Sequence, residues 1–412
     1  MRLDEFVHIN PSVSLEKAKT YPCVMMDEVE PSRRYVYGSE IKKFTGGGAK
    51  FRDGDTLFAR ITPSLENGKI AQFVGQKGTL GFGSTEFIVF RARDGLSDPG
   101  FIFYLAKTDI VRKPAEKSMF GASGRQRADV NVVKEIEVPS PPLSTQRKIA
   151  AILSAYDDLI ENNTRRIQIL QEMAQAIYSE WFVHFRFPGH ENVKMVDSGT
   201  ELGEVPEGWE AGIIRDVCDN YKYGYTAKAQ KENVGPKFLR ITDIVPYLID
   251  WESVPYCEIE EKEIEKYLLQ ESDIVVARTG ATTGYAKRID KRHSKAIFAS
   301  YLVRLQIKPN HSRYLYGVIV ESDEYKQFIK TNLGGAAQPS ANAQVLTSYP
   351  VVIPPQELQK SFDDKVQSLL DYREILQQKN TNLRTTRDLL LPRLISGEIN
   401  VSDLAIHHGG SE

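Results

Sequence analysis

The chain repeats itself once, and this repeat limits the folds it can adopt more than any other feature. Four segments of the first half resemble four of the second half in the same order: 55–60 and 273–278, 84–90 and 299–305, 121–127 and 334–340, and 138–142 and 351–355. The first two pairs are short β-rich runs, and the last pair ends in two prolines. A chain of 412 residues built this way is predicted to form two domains of one architecture.

A long helical pattern follows each pair of prolines. Its seam positions recur at alternating spacings of four and three, which is typical of a coiled coil. The predicted seam residues are Leu153, Tyr156, Ile160, Asn163, Ile167 and Leu170 in the first helix, and Leu369, Tyr372, Leu376, Lys379, Leu383 and Leu390 in the second. The polar Asn163 and Lys379 fill corresponding gaps and are expected to fix the register. The alternative is that each helix packs only on its own domain.

These patterns predict six consecutive segments: a globular domain over 1–142, a long helix over 143–186, a linker over 187–207, a second globular domain over 208–355, a second long helix over 356–400, and a flexible tail over 401–412. Pro392 lacks an N–H and is expected to interrupt the second helix. Short β-rich runs between glycine and proline turns predict a mixed α/β (α+β) fold with a twisted sheet in each globular domain. If a pseudo-two-fold axis relates the domains, the two long helices must pair antiparallel.

The composition, 41% apolar and 26% charged, is that of a soluble globular protein. The three cysteines show no paired spacing, and neither a signal peptide nor an apolar run of about 20 residues is evident, so a cytoplasmic location is expected. The net charge is −2, but six basic and two acidic residues lie between Arg112 and Lys134, and six basic and one acidic between Arg278 and Lys295. Such segregation suggests basic faces for nucleic acid, although ordinary surface scatter is the alternative.

Sequence signals of catalysis are sparse. Residues 46–50, Gly-Gly-Gly-Ala-Lys, suggest a phosphate loop but lack its spacing, so a flexible turn is the simpler interpretation. The Ser-Pro-Pro-Leu segment at 140–143 lacks the asparagine and the aromatic residue of an amino-methyltransferase loop, and the nuclease-like Glu-x-Lys triplets at Glu40 and Glu324 lack their preceding Pro-Asp. The seven histidines show no zinc-ligand spacing. The sequence therefore predicts a chain with no catalytic residue and no metal.

The matched loops of the two domains differ most in their polar residues, and these are expected to contact DNA. Arginine, glutamine and asparagine suit base recognition, whereas hydroxyl groups suit phosphates. The candidate DNA-binding residues are Arg60, Thr62, Ser64, Lys69, Arg125, Gln126, Arg127, Tyr223, Tyr225, Arg278, Thr279, Thr282, Thr283, Lys287, Gln338, Ser340 and Asn342. Different side chains on matched loops predict two different half-sites. For any one of these arginines, the alternative is a surface ion pair.

Four further segments carry a resemblance to a known family: 141–149 (PPLSTQRKI), 180–182 (EWF), 203–209 (GEVPEGW) and 389–398 (LLLPRLISGE). With the repeat, they resemble the specificity subunits of type I restriction–modification systems, and the resemblance covers nearly the whole chain. One departure is that the first domain lacks the Gly-Trp lead-in found at Gly208 and Trp209. The equivalence of the first strands of the two domains is therefore an open point.

The resemblance implies two target-recognition domains separated by antiparallel helices, and a bipartite DNA target with a non-specific spacer. It implies two modification subunits, which bind S-adenosylmethionine and methylate adenine, and restriction subunits, which translocate and cut double-stranded DNA with ATP and Mg. The chain itself would hold no cofactor and would serve antiphage defence by directing DNA methylation and cleavage.

Two other functions stay open at this point. An atypical DNA methyltransferase or nuclease would be active as the purified chain with S-adenosylmethionine or a metal. A non-catalytic coiled-coil scaffold would make no contact with DNA, so replacing Arg60 and Arg278 by alanine would leave DNA binding unchanged.

Overall fold

The computed structural model describes residues 1–122, 124–246, 248–292, 295–333 and 340–404. The chain divides into two compact units. Unit 1 comprises Met1–Asn162 and Asn382–Glu412, and unit 2 comprises Asn163–Thr381. Unit 1 therefore draws on two distant parts of the chain, which the six consecutive segments of the sequence analysis do not foresee.

The first part of the chain forms two sheets and a group of helices. Its strands are β1 (Val7–Ile9), β2 (Thr20–Val24), β3 (Tyr35–Val36), β4 (Glu40–Lys43), β5 (Ala49–Arg52), β6 (Thr56–Ala59), β7 (Ile70–Phe73), β8 (Leu80–Gly83) and β9 (Phe87–Ala92). Its helices are α1 (Leu3–Phe6), α2 (Pro99–Lys107), α3 (Asp109–Lys117), α4 (Val130–Glu135) and the long α5 (Leu143–Tyr178). The strand orders of the two sheets are β1-β9-β6-β7-β3 and β4-β2-β8-β5.

The remainder of the chain begins with a π-helical turn, Ser179–Val183, and a 3-10 turn, His190–Asn192. Its strands are β10 (Met195–Asp197), β11 (Glu204–Pro206), β12 (Glu210–Ile213), β13 (Cys218–Tyr223), β14 (Lys237–Leu239), β15 (Ile274–Ala277), β16 (Ala286–Arg288), β17 (Ala296–Phe298), β18 (Leu302–Ile307) and β19 (Pro350–Ile353). Its helices are α6 (Ile214–Val217), α7 (Ile241–Ile244), α8 (Glu261–Tyr267), α9 (Arg313–Glu321), α10 (Asp323–Asn332), α11 (Ala343–Leu346) and α12 (Gln356–Ile395). The four-stranded sheet has the order β13-β18-β15-β16.

The two units repeat one architecture, as the sequence predicts. In each, a one-turn helix (α1 or α6) leads into a sheet of the same strand order, β1-β9-β6-β7 or β13-β18-β15-β16. A helix pair, a short helix and a long helix follow in both. The absent Gly-Trp lead-in corresponds to a difference in strand pairing. In unit 2, β12 follows Gly208 and Trp209 directly and pairs with β19. In unit 1, a single bridge between Arg2 and Glu137 takes the place of that strand pair.

The matched runs 55–60 and 273–278 form the central strands β6 and β15, and their first residues explain why the match is close. Asp55 accepts a hydrogen bond from the backbone N–H of Arg52, and Asp273 accepts one from Gln270, both at 2.8 Å. Each carboxylate thus closes the turn before its strand. The strand residues that follow are buried on both faces of the sheet, which is why they form an unbroken apolar run.

Helices α5 and α12 run antiparallel, which confirms the predicted direction of pairing. In unit 1, Lys148 donates to the carbonyl of Ser402, whereas Asp157, further along α5, pairs with Arg387. In unit 2, Asn163 pairs with Asn380, and Gln171 accepts a hydrogen bond from Arg373. In both units, the later a residue lies in α5, the earlier in the chain its partner lies. This is the order expected of an antiparallel pair.

The predicted seam of the second helix is displaced by one residue at three of its positions. Lys379 is exposed, and the buried polar position is Asn380, whose Oδ1 accepts a hydrogen bond from Asn163 Nδ2 at 2.9 Å. Leu370 and Leu391 are buried, whereas their predicted neighbours Leu369 and Leu390 are only half-buried. Because leucines occur here at adjacent positions, the sequence spacing fits both phases, and the burial of Leu370, Asn380 and Leu391 distinguishes them.

The remaining seam positions follow the prediction to different extents. In the first helix Leu153, Ile160, Asn163 and Ile167 are buried, and Tyr156 and Leu170 are half-buried. In the second helix Leu376 is buried, and Tyr372 and Leu383 are half-buried.

The structure differs from three expectations about the connecting and terminal segments. Helix α12 continues through Pro392 to Ile395, because Leu391, Leu394 and Ile395 pack into the core of unit 1 and hold the last turn in place. The predicted linker contains the hairpin β10–β11, and its Phe187 and Val205 belong to the core of unit 2. Val401, predicted in the flexible tail, is buried in unit 1; residues 405–412 lie outside the described part of the chain.

Candidate nucleic-acid interface

In unit 1, three loops that are distant in sequence converge just beyond β6. The backbone N–H of Arg60 donates to the carbonyl of Glu86 at 2.9 Å, and the carbonyl of Arg60 accepts from the N–H of Ala128 at 2.8 Å. Two residues further on, the N–H of Thr62 donates to the carbonyl of Gln126 at 2.9 Å. Most unit 1 candidates from the sequence therefore lie on one set of hydrogen-bonded loops.

An ion pair fixes one of the predicted arginines in this set. The guanidinium of Arg127 makes a forked contact with the carboxylate of Glu86, with Nη2 to Oε1 at 2.6 Å and Nε to Oε2 at 2.9 Å. For Arg127 the surface ion pair considered from the sequence is therefore present, and it orients a partly exposed guanidinium. Arg125, two residues earlier, is exposed.

In unit 2 the same backbone hydrogen bonds bring the equivalent loops together. The N–H of Arg278 donates to the carbonyl of Tyr301 at 3.0 Å, and the N–H of Ala341 donates to the carbonyl of Arg278 at 2.8 Å. Thr279 forms a bridge with Ser340. The predicted residues Arg278, Thr279 and Ser340 thus occupy the place that the Arg60 loops occupy in unit 1.

The side chain of Arg278 is held within its own unit. Its guanidinium carbon lies 4.8 Å from the centroid of the Tyr223 ring, and its Nε donates to the carbonyl of Ala341 at 3.4 Å. The hydroxyl of Tyr223 accepts a hydrogen bond from the N–H of Ala343 at 3.0 Å. Tyr223 and Arg278, which were predicted separately, therefore form one contact pair.

Two aromatic residues on these loops were missed by the sequence reasoning. Phe120 is 61% exposed and Tyr301 is 60% exposed. Tyr301 could have been found from the sequence. The matched segments 84–90 and 299–305 align it with Glu86, so unit 2 has a tyrosine where unit 1 has a carboxylate. Phe120 precedes Gly121 in the glycine-bearing loop, and no residue of the matched segments indicates its exposure.

Two candidates have side chains that are buried within unit 2. Thr283 is 2% exposed, and its hydroxyl donates to the carbonyl of Gly280 at 2.7 Å. The ammonium of Lys287 lies 3.6 Å from a carboxylate oxygen of Glu321, and burial lowers the pKa of this lysine. Neither group is available to DNA in this conformation.

Other candidates have partners within their own unit. Lys69 Nζ donates to the carbonyl of Met26 at 2.7 Å, and Asn342 accepts from the N–H of Val345 at 2.9 Å, which caps α11. The Tyr225 ring lies 5.3 Å from that of Tyr267. The half-buried candidates are Thr62, Ser64, Gln126 and Thr282. Gln338 lies outside the described residues.

The predicted basic face between Arg278 and Lys295 is largely neutralised. Arg288 pairs with Glu374 at 3.1 Å, Lys291 with Asp371 at 3.2 Å, and Arg292 with Asp290 at 2.6 Å. These lysines and arginines therefore serve ion pairs inside unit 2, and their clustering in sequence overstated the positive charge offered to a ligand.

Two glutamines that the sequence reasoning did not single out attach the long helices to the globular parts. Gln146 accepts from the N–H of Asp98 at 2.9 Å and donates to the carbonyl of Pro141 at 2.8 Å. Gln359 accepts from the N–H of Ser312 at 2.8 Å and donates to the carbonyl of Pro354 at 2.7 Å. Each stands four residues after the second proline of its matched pair, and this shared position is the signal that could have revealed them.

Within the described residues, no group of three or more histidine, cysteine, aspartate or glutamate side chains is placed to hold a metal ion. Over the same part of the chain, every helix is too short or too polar to cross a membrane.

Comparison with known proteins decides the family. The model of the type I restriction modification DNA specificity domain matches residues 45–172 and 206–385. The chain belongs to this family. Curated relatives include the type I restriction enzyme MjaVIII specificity subunit of Methanocaldococcus jannaschii, 26% identical over 97% of this chain and 94% of the relative. The HindI specificity subunit of Haemophilus influenzae is 24% identical over 88% of this chain and 90% of its own.

A solved structure shows the same fold. The crystal structure of the type I restriction–modification system S subunit from M. genitalium superposes with a TM-score of 0.52 at 15% identity, covering 96% of this chain and 95% of that one. The predicted family, mixed fold and role as a DNA-specificity subunit are thereby confirmed.

Proposed function

We propose that this specificity subunit recognises a bipartite, asymmetric DNA target, with the loops of unit 1 contacting one half-site and those of unit 2 the other. The observation that carries this proposal is that matched backbone hydrogen bonds hold the loops in both units, whereas the side chains differ. Unit 1 has Glu86 and Arg127 on these loops, whereas unit 2 has Tyr301 at the position equivalent to Glu86. Constant scaffolds with different polar groups are what two different half-sites require.

We further propose which residues of these loops contact the DNA. In unit 1 we assign them to Arg60, Thr62, Ser64, Arg125, Gln126 and Arg127. In unit 2 we assign them to Tyr223, Tyr225, Arg278, Thr279, Thr282, Ser340 and Asn342, with Tyr301 added and Gln338 retained from the sequence. An arginine held by a carboxylate, as Arg127 is by Glu86, presents its free N–H groups in a fixed direction, which suits the acceptors of guanine.

The partners follow from family membership. Specificity subunits of type I systems are non-catalytic, and DNA together with modification and restriction subunits are the expected partners. We propose that two modification subunits supply S-adenosylmethionine chemistry and that restriction subunits supply ATP- and Mg-dependent translocation and cleavage. We further propose that the paired helices α5 and α12 set the length of the non-specific spacer.

Exchange of the first globular part tests the proposal. Residues 1–140 are replaced by the corresponding part of another family member, which keeps Gln146 and both long helices, and methylated sites are mapped by sequencing the DNA of a host carrying the complete system. We expect one half-site to change and the other to persist. The matched exchange of 208–353 should change only the other half. An unchanged recognition sequence would contradict the proposal.

A further inference from the structure

Unit 1 contains a cleft of about 420 Å³ beside Arg60 whose chemistry favours an anion. Its lining includes two cationic side chains, Lys50 and Arg60, and no carboxylate. The other polar side chains that line it belong to Asn10, Ser12 and Thr85. Asn10 already uses its Oδ1 to accept a hydrogen bond from the N–H of Val89 at 2.9 Å, so its amide N–H groups remain as donors. The cleft therefore offers mainly positive charge and hydrogen-bond donors.

Arg60 has donor capacity that the described part of unit 1 does not satisfy. Its Nε is buried and has no hydrogen-bond acceptor among the described residues. A buried N–H without an acceptor is unfavourable by about 1–3 kcal/mol, so a bound anion would relieve this cost. The equivalent Arg278 differs, because its Nε donates to Ala341 and its guanidinium lies over Tyr223.

The three-glycine segment noted in the sequence shapes one wall of this cleft. Gly46, Gly47 and Gly48 all have positive φ, at 117°, 77° and 74°. A Cβ on Gly48 would lie 2.3 Å from the carbonyl oxygen of Gly83, so only glycine allows the loop to approach β8 this closely. Lys50 follows in β5; its Nζ lies 5.3 Å from the centroid of the Phe44 ring, and no carboxylate pairs with it among the residues described. The turn thus holds Lys50 on the same cleft as Arg60.

We propose that this cleft binds a backbone phosphate of DNA through Lys50 and Arg60. The inference rests on the proposed function and adds the class of contact made there. Contacts to phosphate position a duplex without reporting its sequence, so the cleft would anchor unit 1 while Arg125, Gln126 and Arg127 contact bases.

The salt dependence of DNA binding tests this inference. The full chain, in complex with its modification subunits, is measured on target and non-target duplexes between about 50 and 200 mM salt. Lys50→Gln and Arg60→Gln each remove one phosphate contact, so each should reduce the slope of log affinity against log salt by about 0.9 and lower affinity about eightfold at 0.1 M salt. Both duplexes should be affected alike, and the recognised sequence should not change.

Two further variants separate loss of charge from loss of fold. Lys50→Arg keeps the charge and should retain the salt slope. Lys77→Gln removes an exposed charge elsewhere in unit 1 and should leave binding unchanged. Single methylphosphonate substitutions in the duplex should reveal one phosphate whose neutralisation weakens binding by the wild type more than binding by Lys50→Gln or Arg60→Gln.

The possible outcomes are distinguishable. Unchanged slopes in both glutamine variants, with normal binding by the wild type, would overturn the cleft assignment alone. An altered recognition sequence would show a base contact instead and would overturn it too. Stabilisation of the wild type, but not of Lys50→Gln, by millimolar inorganic phosphate at constant ionic strength, with unchanged slopes, would indicate a free-anion site. If the wild-type complex binds no duplex in preference to any other, the proposed function is refuted, and this inference with it.

Discussion

At the scale of single residues, equivalent backbone positions carry different chemistry in the two units. Arg60 and Arg278 make the same two backbone hydrogen bonds, yet the side chain of Arg278 lies over Tyr223 and that of Arg60 lines an open cleft. Glu86 and Tyr301 form a second such pair. A change at Glu86 or Tyr301 should therefore affect recognition only in the half-site of its own unit.

Tyr301→Ala should relax recognition in the half-site that unit 2 contacts and leave the other half-site unchanged. Loss of one base-contacting side chain weakens binding by about 1–3 kcal/mol, which is roughly 5- to 150-fold. Glu86→Ala is the matched change in unit 1, because it frees the Arg127 guanidinium and should relax the opposite half-site. Binding to duplexes with single substitutions in each half measures both effects. Equal relaxation of both halves by either variant would contradict the assignment.

Asp363 gives unit 2 a dependence on pH. Burial raises the pKa of this carboxyl to about 6, although the hydroxyl of Ser312 donates a hydrogen bond to it. The folded state therefore keeps a proton that the unfolded chain has released, so its contribution to stability is present at low pH and is lost as the pH rises through about 6.

Asp363→Asn should remove this dependence. We expect the free energy of unfolding of the wild type to fall relative to that of Asp363→Asn between about pH 4 and 6, because only the wild type must ionise a half-buried carboxyl. Chemical denaturation at each pH gives the difference. Glu357→Gln, at an exposed position of the same helix, is the control. Parallel pH profiles for the wild type and Asp363→Asn would refute the argument.

At the scale of elements, the sequence predicts strands and helices better than it predicts their partners. The runs 55–60 and 273–278 were recognisable because an acidic turn precedes an unbroken apolar stretch. The burial of Lys287 could not be recognised in the sequence, because its partner Glu321 lies in α9, far along the chain. The phase of the α12 seam could not be recognised either, since adjacent leucines fit two seams equally well. What depended on contacts between distant segments could not be derived from local pattern.

The asparagine pair between α5 and α12 gives a test at this scale. Asn380→Leu leaves the amide of Asn163 buried without its partner and should destabilise unit 2 by about 1–3 kcal/mol. The double replacement of Asn163 and Asn380 by leucine should recover much of this loss, because both polar groups are then removed. Thermal unfolding measures the difference. Lys379→Ala, at the seam position predicted from the sequence, should change the free energy of unfolding by less than about 0.5 kcal/mol. An effect as large as that of Asn380→Leu would support the seam predicted from the sequence and contradict the one described here.

At the scale of the whole molecule, the proposal that the paired helices set the spacer can be tested by their length. Inserting two heptads at matched points of α5 and α12 adds roughly 21 Å of helix, which corresponds to about six base pairs of DNA. Mapping of methylated sites should show a spacer longer by about that number with both half-sites unchanged. Insertion into α5 alone breaks the pairing and should abolish methylation. An unaltered spacer after the double insertion would rule out this role.

The composition of unit 1 has a consequence for biosynthesis. Leu391, Leu394, Ile395 and Val401 belong to the same core as Leu3 and Phe6. During translation, the first part of the chain leaves the ribosome long before these residues are made. It must therefore wait with an unfilled apolar groove until synthesis has passed residue 401. A nascent chain stalled after unit 2 would hold a second domain with all its own residues and a first domain still unfinished, so the order of synthesis is not the order of folding.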